Sequence, residues 1–268
     1  MSTLTALYRY PVKSAQAETL RHSEFDGLGL TGDRRWMLID DASGRFLTQR
    51  ALPQLGRLQA LLREDGGVQL SAPEQGAITV SVPGDHALLR GITLWSDTLR
   101  VPDAGDEAAA WVSRLVGKPT RLVYMPAERA RTAGAAYGDP GDRVAFADGF
   151  PLLLIGSASL DDLSRRVGRS LEMLRFRPNL VIDGVPPYAE DGWKRIRIGE
   201  HEFRLLKPCS RCILTTIDPS SGQRSSDREP LATLKTYREQ EGQVFFGQNL
   251  VADGAGVLEV GMPVTVLD

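Results

Sequence analysis

The residues best suited to metal or redox chemistry are two cysteines in one tetrapeptide. Cys209 and Cys212, in Cys209-Ser210-Arg211-Cys212, are the only 2 cysteines among 268 residues. A C-x-x-C spacing has three common interpretations: a redox-active dithiol, part of a zinc site, or two small buried apolar side chains. A disulfide scaffold is excluded, because such chains carry more cysteines and spread them along the sequence.

The neighbouring residues provide evidence on each of the three interpretations, and none of the three is excluded. A thioredoxin-type dithiol needs its first cysteine at a helix N-terminus, whereas the β-branched residues that follow predict a strand over Cys212–Ile217. A structural zinc site needs four ligands, and beyond the motif only His201 offers a nearby nitrogen. Arg211 argues against an apolar pair, since a buried guanidinium requires an anionic partner. We therefore expect a thiolate engaged with an anionic or metallic group.

Three basic segments elsewhere contain candidate anion-binding groups. In Phe176-Arg177-Pro178-Asn179 a bidentate guanidinium lies beside an amide, a combination that suits phosphate. Lys13-Ser14 follows the first predicted strand, and Asp33-Arg34-Arg35-Trp36 directs two adjacent arginines to opposite faces of a strand. Taken separately, each segment is better explained as a solvated loop or strand end, with anion binding as the alternative.

The signatures of several other enzyme classes are missing. The sequence contains no G-x-G-x-x-G, P-loop, G-x-S-x-G or H-E-x-x-H motif. Carboxylate pairs such as Asp161-Asp162 and Glu190-Asp191 are adjacent and diverge, so we interpret them as capping or surface groups. The 32 Lys+Arg against 34 Asp+Glu give a net charge of −2, which does not favour nucleic acid as a partner.

Composition indicates a globular protein without a membrane span. Hydrophobic residues make up 42% and charged residues 25% of the chain, which are ordinary values for a folded domain. The longest apolar run, Pro151–Ile155, is far too short to cross a bilayer. The N-terminus lacks the basic, apolar and cleavage regions of a signal peptide, so we expect a cytoplasmic protein.

The elements that must position these groups are mainly strands. Turn signals about every ten residues predict strands in the first hundred residues, at Leu4–Tyr10, Trp36–Asp40, Arg57–Arg63, Val68–Ser71 and Ala77–Val82. Apolar spacing predicts a helix over Asp106–Val116. Residues 126–147 predict a long loop that separates two parts of the chain.

The second part is expected to combine strands with two further helices. A helix is predicted over Leu160–Val167, with Ser159 as N-cap and Asp162 at N3, and another over Leu231–Glu239, with Pro230 at N1. Strands are predicted at Asn179–Ile182, Arg195–Ile198, Glu202–Leu206, Gln243–Val251 and Val257–Leu267. Together the patterns indicate an α+β protein that is mainly β.

Six segments, taken in this order, carry a resemblance to a known family. They are Tyr10-Pro11-Val12-Lys13-Ser14, Gly32-Asp33-Arg34-Arg35-Trp36, Phe176-Arg177-Pro178-Asn179, Tyr188-Ala189-Glu190-Asp191, the cysteine motif with Ile213-Leu214-Thr215-Thr216, and Phe246-Gly247-Gln248. The chain resembles the MOSC family with its N-terminal β-barrel domain, and within it the YcbX-like proteins and the mitochondrial amidoxime-reducing component. The resemblance extends over nearly the whole chain.

This resemblance implies a fold and a cofactor. The fold would be two β-rich modules with a few short helices: an N-terminal MOSC-associated β-barrel domain over 1–122 and a MOSC β-barrel domain over 123–268. Molybdopterin-bound molybdenum would lie between them, with Cys212 as the thiolate ligand of the metal. The implied cofactor-binding residues are Lys13, Ser14, Arg34, Gly149, Phe150, Arg177, Asn179, Ser210, Arg211 and Asn249.

Three of these positions depart from the family pattern. Gly149 and Phe150 stand where the eukaryotic relative has Thr-Ser, so only backbone contacts would carry over. Asn249 stands where that relative has a tyrosine.

The resemblance also implies an activity: an oxidoreductase that removes the oxygen atom of N-hydroxylated compounds, such as amidoximes and N-hydroxylaminopurines, at a Cys-ligated molybdenum centre. The alternative is a cofactor-binding, carrier or sulfur-transfer protein without reductase turnover. With no cysteine beyond the motif, the chain is not expected to hold an iron–sulfur cluster, so a separate reductase, ferredoxin or flavoprotein would supply electrons. Pyridoxal phosphate is not supported, because no motif indicates a Schiff-base lysine.

Overall fold

Strands form most of the regular structure. The computed structural model describes residues 1–134 and 136–268. Its strands are β1 (Thr3–Arg9), β2 (Glu18–Leu20), β3 (His22–Asp26), β4 (Gly29–Leu30), β5 (Trp36–Asp40), β6 (Gln59–Leu62), β7 (Val68–Ala72), β8 (Gly76–Val80), β9 (Leu89–Leu94), β10 (Asp97–Pro102), β11 (Thr120–Tyr124), β12 (Arg131–Thr132), β13 (Arg143–Val144), β14 (Leu152–Gly156), β15 (Leu180–Asp183), β16 (Arg195–Ile198), β17 (His201–Arg211), β18 (Glu239–Gln240), β19 (Gln243–Ala252), β20 (Gly256–Glu259) and β21 (Val264–Val266).

Helices are few and short. They are α1 (Asp106–Val116), α2 (Ser157–Val167) and α3 (Leu231–Arg238), with 3-10 turns at Pro53–Arg57, Ala127–Arg129, Met173–Phe176, Ala189–Gly192 and Ile213–Thr216. The predicted α+β, mainly β fold is confirmed. Within residues 1–134 and 136–268, no helix is both long and apolar enough to span a membrane.

The largest sheet joins the two ends of the chain. Its strand order is β2-β1-β15-β14-β19-β17-β16-β21, and β18 pairs with β19 at one side. The N-terminal strand β1 is antiparallel to β15, with Leu7 opposite Leu180. Both residues are fully buried in one apolar cluster that also contains Leu154 and Leu250. Burial of these apolar side chains stabilises the pairing of the N-terminal strand with the second half of the chain.

Smaller sheets surround a second core in the first half of the chain. They are β5–β11, β6-β7-β8 and β9–β10. Helix α1 has the predicted bounds, with Asp106 and Glu107 in its first turn and Gly117 in a left-handed conformation at its end. Its buried Trp111 and Val112 pack into the cluster that contains Trp36. The strands predicted at Trp36–Asp40 and Arg195–Ile198 also have the predicted bounds.

The strand predicted over Cys212–Ile217 is wrong. Strand β17 continues through the motif to Arg211, and residues Ile213–Thr216 form a 3-10 turn that starts after Cys212. The hydroxyl of Thr215 donates to the Cys212 carbonyl at 3.0 Å, and that of Thr216 to the Ile213 carbonyl at 2.7 Å. These local bonds offer the backbone an alternative to a strand ladder, which outweighs β-branched propensity here.

The predicted start of the second helix is also wrong. Helix α2 begins at Ser157, and Ser159 does not cap it. Glu190, interpreted from sequence as a capping or surface group, is 1% exposed. Its carboxylate accepts bonds from the Gly156 N–H at 3.1 Å and the Ser159 hydroxyl at 2.8 Å. The carboxylate that binds the start of α2 therefore comes from a segment 34 residues from Gly156, which a local pattern cannot reveal.

Two other boundaries differ from the predictions. The strand predicted at Val257–Leu267 is divided into β20 and β21, because Gly261 turns the chain at φ 104° between them. Pro230 is the N-cap of α3 rather than its first residue. The run Pro151–Ile155 contributes most of the buried strand β14, and residues 126–147, predicted as a loop, include the short pair β12–β13.

Candidate cofactor site

All eleven residues predicted for the site line a single pocket. The set is Lys13, Ser14, Arg34, Gly149, Phe150, Arg177, Asn179, Ser210, Arg211, Cys212 and Asn249. They come from six separate segments, so the fold brings them together from positions up to 236 residues apart. The pocket also contains residues that the sequence analysis did not identify, notably Thr48, Arg50, Asp148 and Arg175.

The end of β17 presents the cysteine motif to the pocket. Opposite Cys209, strand β19 contains an extra residue, since Pro208 pairs with Gln248 but Ser210 pairs with Phe245. Gly247 makes this bulge possible with a φ of 77°, a conformation that favours glycine. A side chain there would collide with Ile155 Cγ1 at 2.6 Å and the Leu154 carbonyl at 2.8 Å. The bulge thus fixes the direction in which the motif leaves the sheet.

Cys212 contacts a cation that the sequence analysis missed. The Nε of Arg50 donates to Cys212 Sγ at 3.2 Å, and its Nη2 contacts Asp148 Oδ2 at 3.3 Å. Cys212 itself is half-buried and precedes the 3-10 turn Ile213–Thr216. The Arg50 guanidinium thus gives the Cys212 sulfur a charged hydrogen-bond donor.

Cys209 has a different environment. Burial raises the pKa of its thiol, and the nearby Arg211 guanidinium offsets this only in part. Asn249, on the paired strand, donates to the Lys207 carbonyl at 3.2 Å and thereby joins β19 to β17 beside Cys209. The two thiols are therefore not equivalent, and Cys212 is better placed to act as an anionic ligand.

Two arginines direct unsatisfied donors into the site. Arg211 Nε donates to the Phe246 carbonyl at 2.8 Å and its Nη1 to the Phe176 carbonyl at 2.9 Å, while its buried Nη2 has no partner within the described residues. In the same part of the chain, Arg175 uses Nη2 for Asp218, and its buried Nε and Nη1 have no partner. Buried donors without acceptors are costly, so this arrangement favours an acceptor-rich ligand.

Lys13 and Asp148 form the side of the pocket next to Arg50. Lys13 Nζ donates to the Phe146 carbonyl at 2.7 Å and forms an ion pair with Asp148. Burial lowers the pKa of Lys13, with the Asp148 charge acting in the opposite direction. Desolvation alone would raise the pKa of Asp148, but Lys13 and Arg50 outweigh it and hold that pKa well below its usual value. Gly149 and Phe150 directly follow Asp148 in the sequence and also line the pocket.

Arg34 and Arg177 form a third cationic group around an unpredicted aromatic residue, Tyr10. Their guanidinium carbons lie 4.2 and 4.1 Å from the centre of the Tyr10 ring, which is buried. Arg34 Nη2 also donates to the Arg177 carbonyl at 3.2 Å, and Arg177 Nη1 to the Ala15 carbonyl at 2.8 Å. Burial lowers the pKa of Arg177 to about 10.

Left-handed backbone conformations are concentrated at this site. Ser14, Arg34 and Arg177 have φ values of 69°, 46° and 55°. Such values are uncommon for residues other than glycine and cost free energy, so they persist where the surrounding structure enforces them. Three such non-glycine residues in one pocket indicate that their backbone conformations are maintained for ligand binding.

The chemistry of the pocket is that of an anion site with one soft ligand. Six cationic side chains face one carboxylate, Asp148, among the described lining residues. Arg177 and Arg211 have no carboxylate within 4.0 Å in the part of the chain that the structure describes. The described residues contain no cluster of three or more His, Cys, Asp or Glu side chains able to hold a metal. A metal bound here would need further ligands from a non-protein group, with Cys212 supplying sulfur.

The missed residues have weak sequence signals. Arg50 and Arg175 occur as single arginines in segments without a recognisable pattern, and Asp148 directly follows the loop predicted over 126–147. Their roles depend on strand pairing between distant segments. Arg175 lies next to the Phe176-Arg177-Pro178-Asn179 segment and Asp148 next to Gly149, so two of the missed residues adjoin positions already predicted for the site.

Comparison with known proteins identifies the family. Residues 1–119 match the MOSC N-terminal beta barrel domain, and residues 141–265 match the MOSC domain. The chain therefore belongs to the MOSC family, and the predicted resemblance is confirmed. The division at 122/123 itself stays a prediction.

Named relatives cover almost the whole chain. Mitochondrial amidoxime-reducing component 1 of Mus musculus is 35% identical over 285 residues, which cover 100% of this chain and 83% of that protein. The Homo sapiens protein of the same name is 34% identical over 285 residues, with the same two coverages of 100% and 83%. Molybdenum cofactor sulfurase of Oryza sativa subsp. japonica is 32% identical over 262 residues, which cover 91% of this chain and 32% of that protein.

Proposed function

We propose that this protein is a molybdenum-cofactor-dependent reductase of N-hydroxylated compounds. The observation that carries the proposal is the convergence of six cations and the Cys212 thiol in one pocket. The relatives named amidoxime-reducing component, at 34–35% identity over the whole chain, support the same class of reaction.

The side chains fit a phosphate-bearing pterin that carries a metal. Arg211 Nη2 and Arg175 Nε and Nη1 are buried donors without partners among residues 1–134 and 136–268, and a pterin phosphate and its ring heteroatoms would supply acceptors. A dithiolene provides two sulfur ligands of its own, which matches a pocket with a single suitable protein thiolate. Lys13, Ser14, Arg34, Arg177 and Arg211 would hold the organic part, and Cys212 would bind the metal.

Within this proposal each side chain has a specific task. When bound, the cofactor supplies a metal that removes oxygen from an N–O bond by a two-electron reaction. Arg50 Nε, 3.2 Å from Cys212 Sγ, would orient the sulfur and stabilise its negative charge. Asp148 would hold Arg50 and Lys13 in place through its two ion pairs.

The overall reaction consumes two electrons and two protons. An amidoxime loses the oxygen of its N–OH group, the N–O bond breaks, and an amidine and one water molecule are formed. Electrons would come from a separate reductase, ferredoxin or flavoprotein. This requirement follows from the proposed chemistry, since the two cysteines of the motif provide no cluster for electron storage.

The test is to purify the protein from cells that make the cofactor and measure bound molybdenum by elemental analysis. Benzamidoxime and 6-hydroxylaminopurine are then assayed with a chemical electron donor, and the amine products are quantified by chromatography. We expect close to one molybdenum per chain and turnover of at least one substrate.

The outcomes separate the proposal from its rival. Absence of molybdenum from protein produced in such cells would refute the proposed function. Stoichiometric molybdenum without turnover of either substrate would favour a cofactor carrier or sulfur-transfer protein. The match to a molybdenum cofactor sulfurase over 91% of this chain makes that rival specific enough to test.

A further inference from the structure

An exposed tryptophan at the edge of the site is placed in an unusual way. Trp95 is the first residue of the two-residue turn between β9 and β10, where Leu94 pairs with Asp97. Its φ is 56°, a conformation that such turns normally assign to Gly, Asn or Asp. A bulky aromatic residue is disfavoured there, and 44% of its surface is nevertheless exposed. Neither turn formation nor core packing accounts for a tryptophan at this position.

The indole is connected to the pocket through Arg50. The guanidinium carbon of Arg50 lies 4.8 Å from the centre of the Trp95 ring. The same guanidinium donates to Cys212 Sγ at 3.2 Å. Arg50 therefore contacts both the indole at the edge of the site and the sulfur inside the pocket.

A second aromatic ring extends this surface. Phe46 contacts Trp95 edge-on, with ring centres 4.9 Å apart. On its other side Lys13 Nζ lies 5.6 Å from the centre of the Phe46 ring. Two aromatic rings between two pocket cations form a surface that attracts planar, polarisable groups by stacking and dispersion. We refer to Phe46, Trp95 and Arg50 together as the aromatic rim.

We propose that Trp95 is a specificity-determining residue, and that the aromatic rim binds the ring of planar aromatic N-hydroxylated substrates. This inference rests on the proposed function and adds to it a substrate class and a location. The N–OH group would point toward Cys212 while the ring stacks at the rim. Aliphatic substrates would have little to gain from the rim, since they lack a π face.

The central variant is Trp95→Gly, tested on molybdenum-loaded protein by calorimetric titration with benzamidoxime and with acetamidoxime. Glycine removes the ring and also relieves the left-handed backbone, so the variant should fold. We expect the Kd for benzamidoxime to rise about three- to tenfold, whereas the ratio of the two Kd values moves toward one. The conservative variant Trp95→Phe should recover most of the benzamidoxime affinity.

Leu61→Ala provides a matched control. Leu61 is another large apolar side chain, 51% exposed on β6, and it does not line the pocket. Its loss should leave both Kd values unchanged. Melting temperatures for all three variants are measured together. A fall of more than about 4 °C for Trp95→Gly alone would assign Trp95 a structural role instead.

The result that overturns the inference is an unchanged Kd for benzamidoxime in Trp95→Gly, or an equal loss for both ligands. If that variant instead weakened only the interaction with a protein electron donor, Trp95 would be a partner contact, and the inference would be wrong. The binding measurement does not require turnover. Failure of the reductase proposal would therefore appear as inactivity toward both ligands, independently of the ratio of Kd values.

Discussion

Asn179 Oδ1 accepts a hydrogen bond from Arg34 Nη1 at 3.0 Å and thus connects segments 145 residues apart. The same oxygen accepts the Leu153 N–H at 3.2 Å, and Asn179 Nδ2 donates to the Tyr8 carbonyl at 3.1 Å. Asn179 is 1% exposed, so these bonds are made away from water. Its amide therefore positions Arg34 and joins β1 to β14, in addition to lining the pocket.

Asn179→Ala should destabilise the fold by about 1–3 kcal/mol, because it leaves buried backbone groups of β1 and β14 without partners. Urea unfolding followed by circular dichroism measures this loss. Asn249→Ala is the control, since its side chain bonds the Lys207 carbonyl within the paired strand and no backbone group of β1 or β14, and we expect a loss of about 1 kcal/mol or less. Equal losses for the two variants would contradict the positioning role of Asn179.

Cys212→Ala should abolish reduction of benzamidoxime and lower bound molybdenum, because it removes the proposed protein ligand of the metal. Cys209→Ala should retain most of both, since burial raises the pKa of that thiol and so disfavours its thiolate. The two variants are compared for molybdenum per chain by elemental analysis and for turnover with a chemical donor. The opposite ranking would show that the ligand assignment is reversed.

Most residues of the site are predictable from the sequence motifs. Three arginines (Arg34, Arg177 and Arg211), together with Lys13 and Cys212, were identified by residue type and by resemblance to a family, and every predicted site residue lines the pocket. Arg50 and Asp148 were missed because their importance arises from contacts across 98 to 162 residues of sequence. No local pattern encodes such contacts.

Helices and turns were likewise predicted correctly where the interactions that define them are local in sequence, and incorrectly where those interactions are distant or involve side chains. Helix α1 was predicted with its bounds because its caps and apolar face lie within its own sequence. The start of α2 was not, since Glu190 binds the Gly156 N–H and the Ser159 hydroxyl from a distant segment. The segment after Cys212 was predicted as a strand from its β-branched residues. It forms a turn because side-chain bonds from Thr215 and Thr216 outweigh that propensity.

Gly247→Ala should destabilise the protein and distort the pocket. The residue has a φ of 77°, and an added Cβ would lie 2.6 Å from Ile155 Cγ1 and 2.8 Å from the Leu154 carbonyl. Gly242→Ala is a matched control, with a φ of 76° and no atom within 4 Å of the added Cβ. The control should cost about 1 kcal/mol from backbone strain, and Gly247→Ala about 1–3 kcal/mol more from the collision.

Denaturant unfolding of both glycine variants gives the difference in stability. Molybdenum retention should fall only for Gly247→Ala, since its bulge directs the Cys209–Cys212 segment. Equal stability of the two variants would mean that the sheet adjusts to the added methyl group and that the bulge is not rigid.

The buried Asp103 carboxylate leads to a prediction of how folding stability depends on pH. Burial alone would raise its pKa, but hydrogen bonds from Arg121, the Gly105 N–H and Arg90 outweigh burial and hold the pKa below its usual value. Arg121 binds the carboxylate with two bonds, of 2.8 and 2.5 Å, and the Asp103 side chain is 2% exposed. A carboxyl group whose pKa is lowered by folding adds stability above its unfolded pKa and loses it as pH falls through the folded value.

Asp103→Asn should therefore cost about 3–5 kcal/mol near pH 7, where it breaks a buried ion pair, and progressively less below pH 4. Denaturant unfolding at several pH values between 7 and 2 should show a smaller acid-dependent loss for the variant than for the wild type. Asp106→Asn, which removes a 96% exposed partner of the same Arg121, should cost less than about 1 kcal/mol. A constant difference between Asp103→Asn and wild type across this range would exclude Asp103 as a source of the acid sensitivity.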